Sequence, residues 1–295
     1  MNRFSLPVVV LFISSIGWGL TWWPLKYLNA RGVEGPSLVF IAFGAAALML
    51  LPVLLRQRPL WRAQWASLVL IALFGGFANL AFQIALYQGD VIRVMILFYL
   101  LPVWSVLGGW LFLGERIDSL RILTVVGALL GAVFILRGFS VFTRYPSWVD
   151  LLAIGSGMAF AMNNIIFRAT QTLPLASKVS AVFIGCTLLI GGYLLSATGQ
   201  IPAAPASTLW LTVAYGLFWI SVITFGTQWA VTRLEAGRAS IIIIMELVAA
   251  VVSASLLLDE TLSAMEFLGG LLIVAAVLIE TAREVQAQQT VEAPS

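Results

Sequence analysis

One carboxylate falls deep inside a long apolar run: Glu246, within residues 239–258. An ionisable side chain in lipid is costly and is kept where it handles a substrate, an ion or a proton. On a helix Ile242, Glu246, Ala250 and Ser253 share one face. Two readings stand for Glu246: coupling to a substrate or a proton, or a structural carboxyl bonded to a neighbouring helix. Asn79 and Gln83 sit four residues apart, as do Thr224 and Gln228, so each pair shares a helix face. Such amides line a polar interior or glue helices together. In GMAFAMNNIIFR, Asn163 or Asn164 is expected to face inward, with Asn163 the candidate. Among the aromatics, Trp22, Tyr99 and Trp219 lie far enough from the helix ends to form pocket walls. Stacking and cation–π contact would suit a planar substrate with an ammonium group. The plainer role of such rings is interfacial anchoring or packing.

These residues do not compose an enzyme. The chain has no histidine and one cysteine, Cys186, so no zinc site and no internal disulfide is expected. HExxH, GxSxG, a GxxxxGK[ST] loop and paired intramembrane aspartates are all absent, so neither hydrolytic chemistry nor ATP cleavage is expected, and no cofactor. The basic residues are scattered, which argues against nucleic acid as a partner.

The elements that must position the polar residues are set by lipid. Hydrophobic residues make up 61% of the 295-residue chain and charged residues 10%, against roughly 25% charged in soluble domains. Charges punctuate neutral stretches at 4–25, 35–55, 63–89, 94–114, 122–136, 151–167 and 179–232, the last divided by TGQIPAAPAS. A membrane helix needs about 20 mostly apolar residues. The pattern predicts an all-α polytopic membrane protein with ten transmembrane helices, over 5–28, 36–55, 66–88, 92–113, 120–137, 149–168, 177–197, 208–232, 239–258 and 264–283. The runs are continuous rather than alternating, which excludes a β-barrel. With the N-terminus inside, 11 of the Lys and Arg residues fall in the cytoplasm and 5 outside. The excess of positive charge inside therefore places both termini in the cytoplasm.

Self-similarity at an offset of 145 residues sets ALYQGDVIRVMILFYLLPVWSVLGGWLFLGER against AVTRLEAGRASIIIIMELVAAVVSASLLLDET. Asp90 falls on Glu235, Arg93 on Arg238, Glu115 on Glu260, and the Asn79–Gln83 pair on Thr224–Gln228. Five helices per unit is an odd number, so the second unit is inverted and a central cavity is expected between them. The expected organisation is a first repeat over 1–145, an inverted second repeat over 146–284 and a short, frayed polar tail over 285–295. Glu115 with Arg116, and Asp259 with Glu260, are expected to cap helix ends at opposite surfaces, with gating as the alternative.

The chain resembles the EamA-type drug/metabolite transporter superfamily in SSIGWGLTWWPLK of the first helix, LLPVWSVLGGWLFLGER of the fourth and LLLDET of the ninth. The likeness covers essentially the whole chain and is nearest to bacterial aromatic amino-acid exporters. It departs at Leu247, which stands where the first half has Pro102, and at Leu272, where it has Gly127, so mechanically unequal halves are expected. The resemblance implies a secondary transporter of the bacterial inner membrane, monomeric, exporting amino acids by alternating access, aromatic and bulky apolar ones favoured. Drug-like or cationic metabolites are the alternative cargo; a passive channel or a membrane enzyme ranks below both.

Overall fold

The computed structural model describes residues 6–33, 35–139, 145–198, 205–258 and 261–292, with side chains as far as Arg283. The described residues are helices joined by short turns. Nine are long and apolar enough to cross a membrane: α1 (Leu6–Asn29), α2 (Gly35–Arg56), α3 (Arg58–Gln88), α4 (Val91–Leu113), α6 (Trp148–Ala169), α7 (Leu175–Ala197), α8 (Ala206–Val231), α9 (Ala236–Leu258) and α10 (Ala264–Arg283). The helix α5 (Ser119–Ile135) is apolar but shorter. These match the ten expected segments to within a few residues, except that α3 begins eight residues earlier than expected. The final helix continues to Glu292, so most of the expected frayed tail is helical. Glu260, the outer counterpart of Glu115, lies outside the described residues.

Local chemistry explains where the helices start. Asp90 caps α4 and Asp118 caps α5, each accepting from the backbone N–H three residues on. Ser147 and Asp150 form a reciprocal capping box at the start of α6. Asp150 also receives both arms of the Arg93 guanidinium, at 2.6 and 2.9 Å, which ties α4 to α6 at that end.

The principal helix contacts are α3 with α6 and α7, α8 with α1 and α2, α4 with α6, α9 with α1, α5 with α10, and α2 with α7. Exchanging every helix for the one five places along maps this set onto itself. Small residues allow the closest approaches: Gly185 of α7 faces the Ala72 carbonyl of α3, and Gly216 of α8 faces the Ala42 carbonyl of α2.

Apart from a 3-10 turn at Arg62–Gln64 near the start of α3, three spanning helices are interrupted. In α1 the break falls at Leu20–Thr21. Pro24 supplies no N–H to the Leu20 carbonyl four residues back and crowds it; that carbonyl instead takes the N–H of Trp23 at 3.2 Å. In α4 the break falls at Tyr99–Leu100, just past the Phe98 carbonyl, to which Pro102 has no N–H to donate. In α9 the break falls at Ile244 with no proline. The loss of Pro102 at the equivalent Leu247 therefore does not leave α9 continuous. In α8, Tyr215–Ile220 forms a π-helical turn.

Candidate functional site

The breaks converge. Tyr99 ends the first piece of α4. Glu246 lies in the first turn of the second piece of α9, Met245–Leu258. The Tyr99 hydroxyl donates to Glu246 Oε1 at 2.6 Å. Tyr99 is buried and Glu246 half-buried. A half-helix N-terminus carries partial positive charge, so its first turn is a suitable seat for a carboxyl group within a lipid-embedded bundle. The third break packs on the same place: Gly19, just before the α1 interruption, lies against the Glu246 carbonyl and Ala249. On the far side Gly157 of α6 lies against the Phe98 carbonyl. Phe98 packs edge-on to Tyr99 at 5.4 Å between centroids and reaches Phe160 at 6.0 Å.

Trp22 begins the second piece of α1 and donates its indole N–H to Ser253 Oγ at 2.9 Å. Ser253 is seven residues beyond Glu246, on the same face of α9. Trp18 likewise donates to Thr227 Oγ1 of α8 at 3.1 Å.

A second polar group joins α6 to α8. Asn163 Nδ2 donates to Asn164 Oδ1 at 3.3 Å, and Gln228 Nε2 donates to the same oxygen at 3.4 Å. Both asparagines are buried, and Asn164, not Asn163, makes the bond to Gln228. Asn163 Oδ1, Gln228 Oε1, Thr224 Oγ1 and the Trp219 indole N–H are buried with no hydrogen-bond partner among the described residues. Open capacity of this kind in a membrane interior is costly unless something polar completes it.

The other candidates are placed differently. Asn79 donates within its own helix, to the Gly75 carbonyl at 3.0 Å. Gln83, one turn on, is half-buried. The structure thus joins Tyr99 with Glu246 and Asn163 with Gln228 through Asn164, while Trp22 bonds Ser253.

At one end of the bundle lies a cluster that residue spacing did not reveal. Glu280 of α10 is fully buried. It takes Arg283 at 2.9 Å and Thr124 at 2.8 Å, lies 3.2 Å from Arg121 Nε of α5, and lies 3.7 Å from Arg238 Nε of α9. Arg121 also donates to Glu235 at 2.6 Å, Arg238 pairs with Glu235 at 3.2 Å, and Arg283 pairs with Asp118. Glu115 does cap a helix, but not its own: both carboxylate oxygens accept the Ala236 N–H that opens α9, at 2.8 and 3.0 Å. Arg116 beside it is exposed.

Burial pushes the Glu115 pKa up, against the backbone N–H groups of Ala236 and Gly237. The backbone N–H of Arg121, helped by Arg283, holds the Asp118 pKa below its ordinary value. Burial opposes the Glu235 carboxylate, but the Arg121 hydrogen bond and neighbouring Arg238 lower its pKa overall. Close by, buried Lys178 of α7 donates to the Phe167 and Thr170 carbonyls at the end of α6, at 2.9 and 3.1 Å.

Known proteins match this chain along most of its length. The model of the EamA-like transporter family matches residues 5–137. A chloramphenicol-sensitive protein RarD of Pseudomonas aeruginosa is 30% identical over 78% of this chain and 76% of its own length. A probable terminal-alkyne amino-acid exporter of Streptantibioticus cattleyicolor is 25% identical, with 99% of each chain covered. A solved crystal structure superposes with a TM-score of 0.78 at 15% identity, over 95% of this chain and 99% of that one, so the fold is shared.

Proposed function

This chain belongs to the EamA-like transporter family of the drug/metabolite transporter superfamily, a multi-pass membrane protein and not an enzyme, and from that membership we propose that it exports amino acids from the cytoplasm. Aromatic and bulky apolar amino acids are its favoured cargo. The observation that carries this reading is the Tyr99–Glu246 pair at the meeting of the broken helices α4 and α9. A substrate ammonium joins the tyrosine hydroxyl on the Glu246 carboxylate, which the Tyr99 bond holds in place through Oε1. The rings of Tyr99, Phe98 and Phe160 offer an apolar wall beside it. Trp22, Asn163, Trp219 and Gln228 complete the site from α1, α6 and α8, and Asn79 and Gln83 extend it along α3. The open donors and acceptors on α6 and α8 give the substrate's polar groups partners that the protein lacks internally. The amino-acid exporter among the relatives supports this class of cargo.

The scaffold is two inverted repeats, residues 1–145 and 146–284, rocking about this site in alternating access. Three observations support it: the contact set that survives exchange of the halves, the breaks at Tyr99 and Ile244, 145 residues apart, and a family model whose match, residues 5–137, falls within the first unit. The scaffold acts as a monomer in the bacterial inner membrane with both termini cytoplasmic, as the distribution of Lys and Arg favours. The ionic cluster then closes the cytoplasmic end by joining Glu115, Asp118 and Arg121 of the first half to Glu235, Arg238, Glu280 and Arg283 of the second.

The test is a panel of labelled amino acids in proteoliposomes, with and without a pH gradient. Unlabelled external phenylalanine or leucine should accelerate release of the labelled compound, as a carrier requires. Release insensitive to external substrate would make the protein a channel. Efflux confined to organic cations lacking a carboxylate would replace the amino acid with the cationic cargo that Glu246 alone could hold.

A further inference from the structure

The surface of α2 carries an apolar groove whose lining includes none of the candidate site residues. It is lined by Phe40, Ile41, Gly44 and Leu48 of α2, Leu188 of α7 and Val213 of α8, among other apolar side chains, and has a volume of about 410 Å³. Its one hydroxyl, on Thr187, is engaged by the Phe183 carbonyl at 2.7 Å, so the lining presents hydrocarbon only. Adding a Cβ at Gly44 would meet nothing nearer than Thr187 Cγ2 at 3.5 Å, so there is room for an aliphatic chain.

The groove runs toward a basic elbow. Residues 56–65 read RQRPLWRAQW. Arg56 ends α2, eleven residues after Ala45 of the groove wall, about three turns on and thus on the same helix face. Arg58 and Arg62 follow in the first turns of α3. All three arginines are exposed, and among the described residues none has a carboxylate partner. Leu60 and Trp65 beside them are about 60% exposed. Apolar tips and tryptophan at such a turn mark the depth of lipid headgroups. Ser177, at the start of α7, holds the elbow in place through Gln57 at 2.7 Å.

We propose that the α2 groove and the Arg56–Arg62 elbow together form a binding site for an anionic phospholipid. One acyl chain fills the groove, and the phosphate lies on Arg56, Arg58 and Arg62. Charge fixes the choice of occupant: a zwitterionic lipid would fill the groove equally well, but its phosphate is balanced by its own headgroup cation, whereas an anionic headgroup brings net negative charge to three guanidiniums that have no carboxylate partner.

Native mass spectrometry of the purified full-length chain, offered equal amounts of phosphatidylglycerol and phosphatidylcholine with the same acyl chains, decides the point. Wild type should retain phosphatidylglycerol in preference. Each arginine replaced by glutamine should lower that preference about fivefold, the equivalent of roughly 1 kcal/mol per basic residue at a membrane surface. R56Q/R58Q/R62Q should retain the two lipids equally. Ala45→Phe, which fills the groove, should lose retained lipid of both kinds. The arginine variants lie on the surface and keep the test valid should Ala45→Phe not fold. Excess inorganic phosphate should not displace the lipid. Equal retention of both lipids by wild type, an undiminished preference in the triple variant, or displacement by inorganic phosphate alone would each overturn the proposal.

Discussion

Tyr99 and Glu246 stand on two helices whose breaks lie 145 residues apart in the sequence, and the tyrosine hydroxyl bonds the carboxylate at 2.6 Å across that junction. The carboxylate is thereby held where both helices lose their regular backbone bonding. A hydrogen bond to a charged group contributes about 1.5–3 kcal/mol. Tyr99→Phe should therefore raise the KM for an amino-acid substrate by tenfold or more, and Glu246→Gln should abolish counterflow, both variants remaining monodisperse in detergent. Unchanged uptake and unchanged pH dependence in Glu246→Gln would remove the carboxylate from the mechanism.

The buried carboxylate Glu280 invites a different test. It stands among three arginines, of which Arg121 and Arg238 are themselves buried. Removing one member of a buried ionic group leaves the others uncompensated, at a cost of about 3–5 kcal/mol. Glu280→Gln keeps the shape but not the charge, and should lower the melting temperature in detergent by several degrees. Arg116→Gln, on an exposed neighbour, should not shift it.

Acid should loosen the same end. The pKa values of Glu235 and Asp118 are held below the ordinary 4.5 and 3.8. The stability they supply is fully present above those ordinary values and is lost as pH falls through the lowered ones. Glu115, raised by burial, has the opposite sign and gains as pH falls through its own higher value. The net expectation is little change in melting temperature from pH 7 to about 5, then a fall below about pH 4. In Glu235→Gln that acid limb should be shallower. An identical limb in both proteins would show that the unfolding on acidification starts elsewhere.

Much of the scaffold is legible in residue order because lipid enforces it: apolar runs of spanning length, charges between them, prolines just after two of the breaks. The α9 break is not legible, because Ile241–Ile244 carry no signal beyond β-branching and the break coincides with the close approach of Gly19 from another helix. Glu246 stood out as a lone carboxylate in an apolar run, but its partner Tyr99 is 147 residues away and only folding joins them. Arg121, Glu235, Arg238, Glu280 and Arg283 each read as ordinary helix-end residues. Their meeting depends on α5, α9 and α10 packing at one end of the bundle. Asn79 shows the reverse: its spacing matched a pair in the other half, yet its amide bonds its own helix.

Gly19 should tolerate nothing larger. A Cβ there would overlap the Glu246 carbonyl and press on Ala249, both fixed in the α9 backbone turn. Overpacking of this kind costs about 1–3 kcal/mol, and here it also displaces the carboxylate from Tyr99. Gly19→Ala should reduce both melting temperature and transport. Gly127→Ala, where a Cβ meets nothing within 4 Å, should leave both unchanged. Equal behaviour of the two variants would separate the α1–α9 approach from the site.

Orientation can be read by labelling. Arg116 is exposed beside the ionic cluster, and Tyr145 is 96% exposed in the turn before α6. One apolar helix, α5, lies between them, so the two positions face opposite sides when α5 crosses the bilayer. With both termini cytoplasmic, Arg116→Cys should react with an impermeant maleimide only after the membrane is opened, and Tyr145→Cys should react in intact cells. The one native thiol, Cys186, is buried and supplies little background. The reverse pattern would invert the proposed topology and place the ionic cluster at the outer end, where it would close the exit rather than the entrance. Labelling of both positions from the same side would mean that α5, the shortest of the ten, does not cross the bilayer.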